Sequence, residues 1–228
     1  MYYNPVLKTP RRAAKLRIGI VDDHILLRDA LIDVINDYHD CEVTLRAANG
    51  LEMIGQVRHG NIPDIIILDL NMPFMDGYET AKWLVENNPA INILVLSMFD
   101  SEITIIRLLR TGVKAFLKKD THPGELKHAI KSVMAEGYYY PQTISGKLAN
   151  VFHNPDKSVF TQPLVLNENE IKFLKLSCSE LTYKEMAKEL FVSPRTVDNY
   201  RDQLFEKLDV KSRVGLAMYA IKNGIINF

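Results

Sequence analysis

Five apolar runs alternate with five helix-like segments along the first 140 residues, and few folds are compatible with this order. The runs are rich in Ile, Leu and Val, which is the composition of strands buried on both faces of a sheet. They are LRIGIV (16–21), EVTLRAA (42–48), DIIILDL (64–70), INILVLSM (91–98) and AFLKK (115–119). Because parallel strands need a long crossover connection, usually a helix, the alternation predicts a parallel α/β sheet.

The segments between these runs repeat apolar residues at helical spacing. They cover residues 26–38, 52–58, 78–86, 101–110 and 125–136. In the first segment, Leu27, Leu31 and Ile35 share one face. The last segment opens with His122-Pro123, and proline suits the first turn of a helix. We therefore expect five helices between and after the strands.

The pattern changes after Gly137, where the strand-like runs end. We expect one short helix near 142–151, then a linker, and only helices from Asn167 onward. Two residue pairs fit the capping-box spacing, and Ser193-Pro194 fits an N-cap followed by proline at the first helical position. The two pairs are Asn167 with Glu170 and Thr182 with Glu185.

The sequence thus divides into four parts. They are a flexible basic tail (1–15), an α/β domain (16–140), a short helix with a linker (141–165) and a helical domain (166–228). Of the 228 residues, 47% are hydrophobic and 25% are charged, which is typical of globular proteins. No apolar run approaches the ~20 residues of a membrane span, and the start lacks the apolar region of a signal peptide. We therefore expect a cytoplasmic protein that does not enter the membrane.

Acidic residues follow two of the predicted strands at the points where these strands end. Asp22-Asp23 follow the first strand, and Asp69 lies at the end of the third. Sites in open parallel sheets form beyond the carboxyl ends of the strands, where the strand order switches, so the order 2-1-3-4-5 brings three carboxylates together. Such a cluster repels itself unless a cation binds, and oxygen ligands suit Mg²⁺.

A hydroxyl and an ammonium group follow the two remaining strands at the same edge. Ser97 ends the fourth strand, and Lys118-Lys119 ends the fifth. Carboxylates, a hard metal ion, a hydroxyl and an ammonium group together suit a phosphoryl group. The cations offset its charge while an aspartate oxygen attacks phosphorus.

Residues 16–137 resemble the receiver domain of two-component response regulators. The paired acids, the strand ending in Asp69 with Gly77 behind it, Ser97 and the Lys119 strand match that family in type, order and spacing. The resemblance implies a five-stranded parallel (βα)5 flavodoxin-like domain. It also implies Mg²⁺ as the cofactor and a sensor histidine kinase as the phosphodonor.

The same resemblance implies a role for each residue of the site. Asp69 would be the phosphoacceptor, and Ser97 and Lys119, rather than Lys118, would contact the phosphoryl oxygens. Phe116 takes the place of the usual switch aromatic. The implied Mg²⁺ ligands are the side chains of Asp23 and Asp69, the backbone carbonyl of Asn71 and, mostly through water, Asp22.

Two further predicted helices, 182–190 and 194–208, are separated by a short turn. Val197, Leu204 and Leu208 share one face of the second helix, which we expect to be buried. This is helix-turn-helix spacing, in which the later helix enters the major groove of DNA. The chain from about 166 to 226 resembles the LuxR-type domain of the NarL/FixJ subfamily, which implies a small all-α domain of four helices.

The polar face of the second helix and its surroundings carry the candidate DNA contacts. Asn199 is either a bidentate reader of adenine or a solvated residue. Asp198 and Arg201 lie at i and i+3, and we favour their pairing on the helix over a contact from Asp198 to cytosine. The candidates for phosphate contacts are Lys184, Arg195, Thr196, Tyr200 and Lys207. Residues 164–228 carry ten Lys and Arg against nine Asp and Glu, a low charge for a DNA-binding domain.

We interpret the chain as a DNA-binding response regulator, not an enzyme, that forms a homodimer when phosphorylated or bound to double-stranded DNA. The last predicted helix, near 212–223, has an apolar stripe that fits either such a dimer or the core. One alternative is a phosphatase of the haloacid-dehalogenase type. That chemistry needs a second aspartate two residues after the nucleophile, where this chain has Asn71. Another is a DNA-binding protein that acts without phosphorylation and uses the receiver only for dimerisation.

Overall fold

The computed structural model describes residues 15–98, 100–142, 144–145 and 166–226. The predicted basic tail, apart from Lys15, lies outside the described residues. The same holds for most of the predicted short helix and for the linker up to residue 165.

Five strands form one parallel sheet. They are β1 (Leu16–Val21), β2 (Cys41–Ala47), β3 (Ile65–Leu68), β4 (Asn92–Ser97) and β5 (Ala115–Lys118). The strand order is β2-β1-β3-β4-β5, which confirms the prediction. Val21 pairs with Leu68, and Leu68 pairs with Val95. β1 and β3 therefore end level with each other, β4 runs two residues further to Ser97, and the residues at these ends meet at one edge.

Five helices cover the two faces of the sheet. They are α1 (Ile25–Asn36), α2 (Gly50–Arg58), α3 (Gly77–Asn87), α4 (Glu102–Thr111) and α5 (Pro123–Glu136). One apolar cluster joins the sheet to α2, α3 and α4, and a second joins it to α1 and α5. Because both faces are covered, every residue of β3 is buried, as its continuous apolar run predicted.

The helix termini are fixed by side-chain caps and by glycine. The side chains of Asn49, Asp76 and Ser101 accept hydrogen bonds from backbone N–H groups in the first turns of α2, α3 and α4. Gly112 and Gly137 follow α4 and α5 with positive φ angles, which glycine adopts without steric cost. The Asp76 cap matters most here, because it sets where the loop after β3 ends.

Four helices form the C-terminal domain. They are α6 (Glu168–Ser177), α7 (Tyr183–Glu189), α8 (Pro194–Lys207) and α9 (Arg213–Lys222). Both predicted capping boxes are present, and Ser193 caps α8 ahead of Pro194. Val197 and Leu204 are fully buried in the domain core, so α7 and α8 form a helix-turn-helix unit. Within the described ranges, no helix combines the length and apolarity that a membrane span requires.

Candidate phosphoryl-acceptor site and DNA-binding surface

Three carboxylates meet beyond the carboxyl ends of β1 and β3. Asp22 and Asp69 are only 2% and 3% exposed, whereas Asp23 is partly open to solvent. Asp69 Oδ1 accepts a hydrogen bond from the backbone N–H of Leu70 at 2.8 Å, which fixes the orientation of the carboxylate. The neighbouring positions of β1 and β3 therefore create the acidic cluster that the strand order predicted.

Lys119 lies between two of these carboxylates. Its Nζ is 2.9 Å from Asp22 Oδ2 and 2.9 Å from Asp69 Oδ2, and its side chain is 7% exposed. Burial alone would lower the pKa of Lys119, but the two carboxylates outweigh it and raise this pKa. Lys118 instead pairs with Asp120, and both side chains are exposed. Of the two lysines, only Lys119 is therefore directed to the site.

Burial is the main influence on the pKa of Asp69. Loss of solvent raises the pKa of its carboxyl group from 3.8 to about 6, with Lys119 lowering it and Asp22 raising it further. A carboxylate at this position is thus energetically costly in the folded chain, even with a lysine beside it. Cations supplied from solution would reduce that cost.

The donor set of this cluster fits a hard divalent cation. Oxygen atoms of Asp22, Asp23 and Asp69 lie within 4.8 Å of one another, together with a ring nitrogen of His24. Three carboxylates beside a backbone-rich loop suit Mg²⁺, which binds through oxygen and keeps several waters. His24 Nδ1 lies 3.1 Å from Asp22 Oδ1 and 3.0 Å from Asp23 Oδ1. His24 directly follows the two acids in the chain, and its ring places a nitrogen atom beside the oxygen donors.

The loop after Asp69 is held by a close backbone approach at Gly77. A Cβ atom on Gly77 would lie 2.1 Å from the carbonyl oxygen of Asp69, so only glycine fits without a backbone shift. The N–H of Gly77 also donates to the carbonyl oxygen of Leu70 at 2.9 Å. Asn71 lies in the loop that these contacts close, two residues after Asp69. Gly77 thus packs against the backbone that directly follows the Asp69 side chain.

Ser97 and Phe116 lie where the strands predicted them, and both are buried. Ser97 is the last residue of β4, and its carbonyl oxygen accepts from the N–H of Lys119 at 2.9 Å. Phe116 is 1% exposed and belongs to the apolar cluster that includes α4. Ile144 is buried in the same cluster, so the packed receiver extends past the predicted boundary at residue 140. Ile144 lies in the stretch where the sequence predicts a short helix near 142–151.

The candidate DNA contacts fall into two groups. Lys184, Arg195 and Asn199 have exposed side chains on the helix-turn-helix unit. Thr196 is half-buried, and its hydroxyl lies 2.8 Å from that of Ser193. These residues are available to a ligand along one side of the domain.

Several other polar residues of α8 are engaged within the domain. Arg201 Nη1 lies 3.0 Å from Asp198 Oδ1, so the predicted pairing on the helix is present. Lys207 Nζ lies 2.8 Å from Glu170 Oε2 in an ion pair that is largely buried. Tyr200 packs its ring against Phe173 with centroids 6.3 Å apart. Lys207 is therefore a structural residue in this geometry, because a DNA phosphate would have to displace Glu170.

Arg213 is a structural residue whose importance the sequence did not reveal. Its guanidinium group donates to the backbone carbonyl oxygens of Ser177, Ser179 and Leu181, between α6 and α7. The start of α9 is thereby tied to the turn that precedes the helix-turn-helix unit. Arginine suits this task because its planar fork presents several donors in fixed directions.

Comparison with known families agrees with this geometry. Residues 18–131 match the family described as response regulator receiver domain. The chain is a response regulator. Residues 164–220 of the regulator match the luxR family of bacterial regulatory proteins. Together the two matches cover the acidic site and the helix-turn-helix unit.

Several known proteins match the regulator over about nine-tenths of its length. The oxygen regulatory protein NreC of Staphylococcus aureus (strain JH9) is 32% identical over 218 residues, covering 93% of the regulator and 100% of NreC. RcsB from Salmonella enterica serovar Typhimurium, solved on promoter rprA with phosphomimetic BeF3⁻, is similar in fold. It has 20% identity and a TM-score of 0.68, with 90% of the regulator and 98% of RcsB covered. ChrA, of a heme-sensing two-component system, has 24% identity, a TM-score of 0.50 and coverage of 93% and 100%.

The regulator is thus a DNA-binding response regulator of the NarL/FixJ type within a two-component system. This family consists of transcription regulators and not of enzymes, so the phosphatase alternative is removed. Receiver domains generally bind Mg²⁺ at an acidic pocket, and the regulator has such an acidic cluster.

Proposed function

We propose that Asp69 accepts a phosphoryl group from a sensor histidine kinase in a Mg²⁺-dependent reaction, and that this modification controls DNA binding. The observation that carries the proposal is Lys119, whose ammonium group touches both Asp22 and Asp69. An ammonium group held between buried carboxylates is ready to pair with a phosphoryl oxygen once one carboxylate becomes an acyl phosphate.

The chemistry follows from the residues at the strand ends. An oxygen of ionised Asp69 attacks the phosphorus atom of a phosphohistidine, an acyl phosphate bond forms, and the phosphorus–nitrogen bond breaks with its electron pair going to the imidazole. Mg²⁺ would neutralise charge on the transferred group and would be held by Asp22, Asp23, Asp69 and the carbonyl of Asn71. The hydroxyl of Ser97 and the ammonium group of Lys119 bind the phosphoryl oxygens.

Phosphorylation then acts by shifting populations. The added charge draws Ser97 toward the phosphoryl group, and the space that opens lets Phe116 of β5 change its packing against α4. The modification has an effect only to the extent that it binds one arrangement more favourably than the other. We propose that domain docking and homodimerisation are the equilibria that respond.

We propose that different residues of the DNA-binding domain contact the phosphates and the bases of DNA. Lys184, Arg195 and Thr196 contact phosphates, and Tyr200 adds a hydroxyl contact at the edge of this surface. Asn199 faces solvent on the reading helix and is placed for bidentate contact with adenine. Lys207 is reassigned to a structural role because Glu170 holds it.

A homodimer on DNA would use α9. Val214 and Met218 lie one turn apart on this helix and are 71% and 60% exposed. Their exposed apolar surface could pack against the same helix of a second regulator molecule. The regulator would act in the bacterial cytoplasm, where DNA and the catalytic part of a kinase are both present.

The first test is the intact mass of the regulator after incubation with acetyl phosphate and Mg²⁺. We expect one added phosphate on the wild type and none on Asp69→Asn or in EDTA. Asp120→Asn is the matched control, because Asp120 is exposed and pairs with Lys118 instead of Lys119. Equal labelling of wild type and Asp69→Asn would exclude Asp69 as the acceptor. Absence of labelling, from both acetyl phosphate and a kinase, would favour the phosphorylation-independent alternative.

A further inference from the structure

The DNA-binding domain docks on the receiver through polar contacts at three points. Lys175 of α6 lies 2.5 Å from Asp76 Oδ2, and Lys82 of α3 lies 2.5 Å from Glu168 Oε1. The hydroxyl of Thr104 on α4 donates to the carbonyl oxygen of Asn223, the residue that ends α9, at 3.0 Å. These three contacts join α3 and α4 of the receiver to the first and last helices of the helical domain. We call the three contacts together the docking contact.

The two ion pairs specify one orientation. In one pair the receiver supplies the acid, and in the other it supplies the base. Sliding α6 along α3 would bring like charges together, so the reversed polarity disfavours other registers. The contact with Lys82 also lowers the pKa of Glu168 through a side-chain hydrogen bond. A cleft of about 660 Å³ lies between the domains and is lined by the residues of both ion pairs. The two ion pairs are therefore separate polar contacts and not part of a continuous apolar core.

The anchors follow the two strands that end in the acceptor and the hydroxyl. Asp76 is the N-cap of α3 and ends the loop that begins at Asp69. Thr104 is in the first turn of α4, is 1% exposed and also contacts Ser101, the N-cap of that helix. The docking contact therefore involves residues at the ends of the β3–α3 and β4–α4 loops, and both loops begin at the phosphoryl site.

The docked arrangement leaves the DNA-reading surface open. The side chains of Arg195 and Asn199 on α8 are exposed while α6 contacts α3. Two apolar residues of α9 are open to solvent as well, with Val214 71% and Met218 60% exposed. Neither the reading face nor the face suited to a second copy is used by the receiver. Docking through α6 thus differs from an arrangement in which the receiver covers the reading helix.

We propose that the docked arrangement is itself competent to bind DNA, with the receiver held beside the DNA-binding domain through Lys175, Asp76 and the Lys82–Glu168 pair. The docking contact then fixes where the receiver lies relative to bound DNA, and release of the domain is not required for binding. This inference rests on the proposed DNA contacts of α8, and its test separates the two.

The test joins the two domains covalently and then measures DNA binding. Lys82→Cys and Glu168→Cys are introduced into full-length protein that also carries Cys41→Ser and Cys178→Ser, and the pair is linked with a short bismaleimide. The matched control moves the second cysteine to Lys211, an exposed lysine between α8 and α9. We expect rapid intramolecular linking of positions 82 and 168 and little linking of 82 with 211.

The DNA probe is a set of duplexes selected from a random pool by the wild-type chain with Mg²⁺ and beryllofluoride. We expect linked and unlinked protein to bind these duplexes within about threefold of each other, where tenfold corresponds to about 1.4 kcal/mol. Linked protein that binds tenfold or more weakly would overturn the inference, and so would equal linking at both cysteine pairs. Failure of the wild-type chain to select any duplex would instead refute the DNA-binding proposal, whatever the linking result.

Discussion

Replacing Asp69 with asparagine is expected to stabilise the receiver in the absence of Mg²⁺. Burial raises the pKa of Asp69 from 3.8 to about 6, so the folded chain holds this proton more tightly than the unfolded chain. A group with a raised acid pKa loses stability as pH rises between those two values. At about 1.4 kcal/mol per pH unit, the ionised carboxylate costs the folded state about 3 kcal/mol above pH 6.

The assay is urea unfolding followed through Trp83, the only tryptophan of the chain, which lies on α3 and therefore reports on the receiver. At pH 8 in EDTA, Asp69→Asn should be more stable than wild type by about 2 to 3 kcal/mol, and at pH 4 the two should be nearly equal. Mg²⁺ should stabilise wild type and narrow the difference at pH 8, because it binds only the folded acidic cluster.

Asp120→Asn serves as the control for the loss of an aspartate near the site. Asp120 is 68% exposed in its pair with Lys118, so its replacement should change the unfolding free energy by less than about 0.5 kcal/mol. The reasoning fails if Asp69→Asn is destabilising at pH 8 in EDTA, or if its effect is the same at pH 4 and pH 8.

Three further substitutions test the packing around the two sites. Gly77→Ala should destabilise the receiver by about 2 to 3 kcal/mol through backbone overlap, whereas Gly55→Ala, with nothing within 4 Å, should be neutral or stabilising in the same unfolding assay. Arg213→Lys should lower the melting temperature of the DNA-binding domain, measured by circular dichroism, since lysine cannot reach several carbonyl oxygens at once. Glu170→Gln should speed hydrogen exchange in α6 and α8 by removing the carboxylate that pairs with the Lys207 ammonium group, and unchanged exchange would contradict the structural role of this pair.

The sheet was predictable because each strand is marked by its own short stretch of sequence, and the same pattern is repeated five times. Each strand is a short run of Ile, Leu and Val between helical segments, and right-handed crossovers with buried faces leave few alternatives. Helix starts were also readable, since an N-cap needs only a side-chain oxygen at one position. Ser193 and the two capping boxes are examples. Four of the five strands were predicted to end one or two residues later than they do, and the first was predicted with its observed bounds.

The acidic site was predictable for a different reason. Asp22, Asp69, Ser97 and Lys119 are polar residues directly after apolar strands, and strand order alone brings them to one edge. Contacts that depend on tertiary approach were not predictable. Nothing local indicates that Lys207 pairs with Glu170, which lies 37 residues earlier in the chain.

The low charge of the DNA-binding domain was the strongest sequence argument against DNA binding, and the ion pairs explain it. The domain carries ten basic and nine acidic residues, but charges that pair within the domain contribute little to the field at a distance. Asp198 and Asp202 both contact Arg201, and Glu170 contacts Lys207. Arg195 lies outside these pairs, exposed in the first turn of α8, where a phosphate would approach. Affinity for DNA is therefore set by the positions of the basic residues and not by the net charge of the domain. Arg195→Ala should weaken DNA binding by removing about one phosphate contact. The slope of log K against log salt concentration should then change by about 0.9.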